Sequence, residues 1–183
     1  MGVRMNERWW KEGCLCLLVG LGLLMMQARP AHAVDSELSR QTLAGLKGFL
    51  VVVEDMHPKL SPYDQAIRKA GLTKAQIQQS VEKRLRAAGI RVVSGQAWMN
   101  TPGRPILYVN INLHEKERYV FAYNTTISVE QLVRLDAKPS VKTLASTWSL
   151  NMTGNVNVGN LQNVAESILI LLDRFVQAHA ANN

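Results

Sequence analysis

Residues 106–114 read ILYVNINLH, and the alternation in that stretch decides the fold. Leu107, Val109, Ile111 and Leu113 fall on one side and Tyr108, Asn110, Asn112 and His114 on the other. This is the period-two pattern of a strand with one buried and one open face. The charged residues Glu115 to Arg118 are expected to turn the chain. A second stretch then sets Tyr119, Phe121, Tyr123, Ile127, Val129 and Val133 against Asn124, Thr126, Ser128 and Glu130. After a turn over residues 136–140, a third sets Leu144, Trp148, Leu150 and Met152 against Thr143, Thr147, Ser149, Asn151 and Thr153. Three such strands in succession are expected to form an antiparallel meander.

Upstream, Phe49-Leu50-Val51-Val52-Val53 is a continuous apolar run rich in β-branched residues, which reads as a strand buried on both faces and central in its sheet. A loop marked by Pro58, Pro62 and Gly71 follows, with room for one helical turn over residues 63–69. Thr73 and Gln76 then form a capping box, Ile77, Val81, Leu85 and Ala88 make a narrow apolar stripe, and Gly89 stands where a helix stops. Residues 90–93 are a short strand, and a strand-helix-strand unit in one sheet is expected to be a right-handed parallel crossover. The loop over residues 94–105 holds Trp98, either as a contact anchor or packed beneath the loop. Downstream, Leu161, Val164, Ala165, Ile168, Leu169, Leu172, Phe175 and Val176 give a wide stripe on a terminal helix starting near Asn160.

The element string β-α-β-β-β-β-α predicts an α+β two-layer sandwich, with a mixed, mostly antiparallel sheet and two helices on one face. A single domain is expected over residues 46–179, after a polar lead-in over residues 34–45 and before a short tail over residues 180–183. This order of elements, from Val51-Val52-Val53 and Arg91-Val92-Val93 through three long strands to a terminal helix, resembles the lipopolysaccharide-assembly lipoprotein of the bacterial outer membrane. It resembles more loosely the amino-terminal domain of the Tol-associated propeller protein. The resemblance is one of topology and carries over no functional residue. It implies an envelope-associated, non-catalytic accessory role.

Residues 1–33 read as a secretory signal. Arg4, Arg8 and Lys11 precede an uncharged apolar run over residues 14–26, and Ala31-His32-Ala33 is a small-x-small cleavage pattern. The run is shorter than the roughly 20 residues of a membrane span, so no transmembrane span is expected after cleavage. Cys14 and Cys16 begin the run, whereas a lipid-modified cysteine would follow it, so lipoprotein processing is not expected. The expected location is periplasmic or secreted. The whole chain carries 21 Lys and Arg against 14 Asp and Glu; without residues 1–33 the balance is 17 against 12, with no cysteine. The excess charge is scattered apart from Lys83-Arg84-Arg86, with no interleaved aromatic set, so nucleic acid is not an expected partner.

No nucleophile elbow, Walker loop or dinucleotide fingerprint occurs. His114-Glu115-Lys116-Glu117-Arg118 begins like a zinc-protease helix but has Arg118 where the second histidine belongs. His114 and His179 have no carboxylate partner at helical spacing and read as exposed polar residues. Glu54, Asp55 and His57, at the exit of the first strand, are the one group that suggests a metal or proton-transfer site. Alternation sends Glu54 and Asp55 to opposite sides, and an ordinary strand-exit turn explains the same residues.

The richer surface is the open sheet face of Tyr108, Asn110, Asn112, Asn124, Thr126, Ser128, Thr147, Ser149, Asn151 and Thr153. It offers neutral donors and acceptors and almost no titratable group, which suits hydrogen bonding to a partner and not proton transfer. An interaction or adaptor domain contacting an envelope protein or a glycan is therefore expected, with no enzyme activity and no cofactor. The alternative is a periplasmic small-ligand or metal-binding protein.

Overall fold

The computed structural model describes residues 35–183. The expected signal segment lies outside the described residues. Five strands form one mixed sheet in the order β2-β1-β3-β4-β5: β1 (Gly48–Val53), β2 (Arg91–Val92), β3 (Ile106–Glu117), β4 (Val120–Leu135) and β5 (Lys138–Asn157). β1 runs parallel to β2 and β3, and β3, β4 and β5 are antiparallel, so the fold is the expected α+β class. Among the described residues five α-helices accompany the sheet: α1 (Glu37–Gln41), α2 (Asp64–Lys69), α3 (Lys74–Ala87), α4 (Gly95–Met99) and α5 (Gln162–Ala180). No helix among the described residues is long and apolar enough to cross a membrane.

α3 starts where its capping box predicts. The Thr73 hydroxyl accepts from the Gln76 N–H, and the Gln76 side chain accepts from the Thr73 N–H. Gly89, at φ +76°, supplies the left-handed residue that ends it, and the Ile90 N–H closes back on the Leu85 carbonyl at 2.9 Å. α3 lies over β1 and β2, and α5 beside it over β4 and β5. The core between helices and sheet centres on Phe175, whose ring meets Phe49 edge-on at 5.3 Å and Trp148 at 5.4 Å.

Several local expectations change. β3 runs on to Glu117, and the reversal is a tighter turn at Arg118 and Tyr119, with Tyr119 at φ +67°. His179 is buried, not exposed: its Nε2–H donates to the Leu46 carbonyl at 2.7 Å, and its ring faces Phe49 and Phe175. The polar lead-in folds onto the domain. Leu43 and Leu46 enter the core, and Asp35 accepts from the Trp148 indole N–H at 2.9 Å and from Arg40 at 2.7 Å. The Arg40 guanidinium holds the Asp35 carboxyl below its usual range. The tail joins the same region, since the Asn183 amide donates to the Leu43 carbonyl.

The second sheet face is not open throughout. The β1-to-β2 and β2-to-β3 connections both join parallel strands, and they run across the sheet in opposite directions. One hand of crossover therefore puts α3 on one face and the 94–105 segment on the other. Val93 and Ile106 are buried yet lie outside the main core, as that cover requires. Trp98, on α4, is half-buried, with its indole N–H shielded from water and unpartnered among the described residues. The cover reaches β3 at Ile106, and Ser128 on β4, expected on the open face, is buried as well, so the uncovered part of the face lies on the rest of β3, β4 and β5.

Candidate functional site

Strand pairing carries nine of the ten expected face residues into a grid. Tyr108 lies opposite Ser128, and Ser128 opposite Ser149. Asn110, Thr126 and Asn151 make the second row, and Asn112, Asn124 and Thr153 the third. By standard strand geometry the rows cover about 14 Å along the strands and about 10 Å across them. A fourth row of His114, Ala122 and Asn155 continues the pattern. Asn155 follows from the same alternation, although the expected face set ends at Thr153.

Thr147 does not belong to the grid. Val129 pairs with Trp148 and Glu130 with Ser146, so Thr147 is an extra residue in a β-bulge. Its hydroxyl accepts from the Gln131 amide at 2.7 Å, and that amide also donates to the Thr42 carbonyl at 3.0 Å. Thr147 is thus tied to the segment after α1. The bulge also reverses alternation beyond it: Leu144 pairs with Leu132 on the open side and is exposed, whereas the uninterrupted pattern put it with Trp148.

Two hydrogen-bonded chains organise the grid. In one, the Tyr108 hydroxyl donates to Glu54 Oε2 at 2.5 Å, the Asn110 amide donates to the same oxygen, and Asn112 donates to Asn110 Oδ1 at 2.5 Å. In the other, the Thr126 hydroxyl donates to Asn124 Oδ1 at 3.0 Å, and the Asn124 amide donates to the Thr153 hydroxyl at 2.9 Å. Ser149, Asn151 and Asn155 make no side-chain hydrogen bond with another described residue, and Asn151 and Asn155 are exposed. Most donors and acceptors on β3 and β4 are therefore tied to one another, while on β5 Thr153 is tied and Ser149, Asn151 and Asn155 are left free.

Glu54 is the carboxylate that joins this surface, at its edge. Its hydrogen bond to Tyr108, with partial burial and the Glu54 charge, pushes the phenol up to about 12. The other two members of the strand-exit group go elsewhere. Asp55 pairs with Lys74 at 2.8 Å, and His57 Nδ1 accepts from the Lys59 N–H. Among the described residues no group of three or more His, Cys, Asp or Glu side chains comes together as a metal site. Between the strand-exit segment and β3 lies a cleft of about 720 Å³.

The chain thus belongs, by fold and surface, to the α+β domains that present part of an uncharged polar sheet to solvent. No protein-family model matches it, and no curated protein is significantly similar to it in sequence. Function has to be read from the surface itself.

Proposed function

We propose that this protein is an exported, non-catalytic interaction domain of the bacterial envelope, and that it holds an uncharged polar partner, protein or glycan, on the open face of β3, β4 and β5. One observation carries the reading: three transverse rows of neutral side chains, each running across all three strands. Such rows give many hydrogen bonds and little electrostatic steering, so the contact depends on shape and register and only weakly on salt. The resemblance to envelope accessory domains supports the location and the absence of catalysis.

A photo-crosslinking residue at Asn155 tests this in the producing cell. It should give a discrete adduct, whose identity names the partner. Asn112→Lys, Asn151→Lys and Thr153→Lys replace exposed residues and should cost within about 0.5 kcal/mol of stability each. The triple variant should nonetheless lose the adduct. Persistence of the adduct in that variant, together with its loss when Lys83, Arg84 and Arg86 are changed to Glu, would move the site to α3 and overturn the proposal.

A further inference from the structure

Beyond Glu54 the sheet lacks a strand that its neighbour is built to pair with. β1 and β3 are in register from Leu50 opposite Ile106 to Val53 opposite Val109. The Glu54 N–H bond to the Val109 carbonyl, at 3.0 Å, extends that ladder by one rung. β3 continues to Glu117, whereas the chain after Glu54 leaves for a 3-10 helix over Pro58–Tyr63. The Pro105 and Val109 carbonyls accept from Leu50 and Glu54, so odd residues of β3 turn their backbone toward β1. The two-residue period turns Ile111 and Leu113 the same way. Among the described residues, no backbone hydrogen bond from the strand-exit segment meets them there.

The space beside them is kept open. The 3-10 helix buries Leu60 in the core and bridges to the sheet at Tyr63, whose hydroxyl donates to Glu115 and whose ring stands edge-on to Phe121 at 4.9 Å. Between Glu54 and that bridge is the cleft of about 720 Å³, with the strand-exit segment as one wall and residues 111–115 of β3 as the other. A wall of unpaired N–H and C=O groups at strand spacing is complementary to one kind of ligand, an extended polypeptide.

We infer that the cleft takes a short extended segment of a partner polypeptide, which pairs with β3 at Ile111 and Leu113 and occupies the position β1 vacates. Four residues at about 3.3 Å each span roughly 13 Å, the length of β3 from Ile111 to His114. Alternate side chains of the added strand meet Met56, Leu60 and Leu113 on one side and Asn112 and His114 on the other. Asp55 is paired with Lys74, and of the remaining Lys, Arg, Asp and Glu residues that line the cleft Glu54 and Glu115 outnumber Lys59, with Arg118 acting on Glu115 from outside the lining. The segment that fits alternates apolar and basic residues. This site is a strand edge that shares Asn112 with the polar grid and is otherwise separate from it, so either reading can fail without the other.

A capped hexapeptide alternating valine and lysine is the probe, titrated into the full chain and followed by amide hydrogen exchange. Saturable binding should slow exchange of the Leu113 amide by about tenfold or more, the scale of one or two added hydrogen bonds. Peptides N-methylated at every valine or at every lysine remove the N–H groups of one edge each. One of the two should bind about tenfold more weakly than the parent. No saturable binding at millimolar peptide, full binding by both methylated peptides, or protection confined to the Thr126 and Ser149 surface would each overturn the inference.

Discussion

The two faces of β3, β4 and β5 are made by alternate residues of the same strands, and they are held by different forces. Leu107, Val109, Ile127, Val129 and Trp148 are fully buried under α5 and its neighbours, while Tyr108, Asn110, Thr126 and Ser149 beside them keep contact with water. Burial of apolar area is the dominant favourable term in folding, so the covered face carries the stability. The open face is ordered by hydrogen bonds that compete with water and add little net energy. Its chemistry can therefore be changed at small cost to the fold, which is what a recognition surface needs. The covered face has one polar exception, the buried pair Thr125 and Ser167, whose hydroxyls lie 3.0 Å apart.

The comparison is sharpest at Phe175, where Phe49, Trp148 and His179 converge. Phe175→Ala should cost about 3–5 kcal/mol, against within about 0.5 kcal/mol for Asn151→Ala on the other face. Urea midpoints measure both, and equal losses would erase the distinction between the faces. A middle effect is expected from Thr125→Val. Ser167 donates to the Val164 carbonyl at 2.7 Å, so Thr125 is the donor to Ser167. Ser167 keeps that bond in the variant, and the loss should be about 1 kcal/mol, with little added by a subsequent Ser167→Ala if the two act as a pair.

The smallest effect is a pH signature of the open face. The Glu54 hydrogen bond, partial burial and the nearby Glu54 and Glu130 charges raise the Tyr108 phenol to about 12. A free tyrosine titrates near about 10, so the folded state holds its proton more tightly than the unfolded one. The resulting stabilisation is fully present below about pH 10 and is lost as pH rises through about 12. The tyrosinate absorbance that disappears in Tyr108→Phe should titrate above the free-tyrosine range, and Glu54→Gln should bring it down. Titration at the free value in the unaltered chain would show that the Tyr108 contact with Glu54 does not persist in solution.

The sequence by itself determined the elements whose signals are local. The alternation at Leu107 to His114 and at Asn124 to Ser128 sorted each residue to its face, because successive strand side chains point to opposite sides whatever they pair with. Thr73, Gln76 and Gly89 marked the ends of α3 because caps are made within a turn of the residues that need them. Nine of the ten face residues took their expected side of the sheet for that reason, although Ser128 is buried there.

Only the tertiary structure decided where alternation breaks and which distant residues meet. The bulge at Thr147 is a mismatch in pairing with β4, so Thr147 and Leu144 leave their expected faces, and the sequence marks it only by Ala145 and Ser146 falling on the wrong sides of the alternation. Glu54 joins the grid through Tyr108 and Asn110, more than fifty residues downstream. His179 is buried because Leu46 offers its carbonyl from the far end of the chain, and the lead-in is drawn inward because Asp35 answers the indole N–H of Trp148. The physical reason is common to all of these. A polar group leaves solvent at low cost only where another part of the chain supplies its hydrogen-bond partner, and that partner is assigned by the fold.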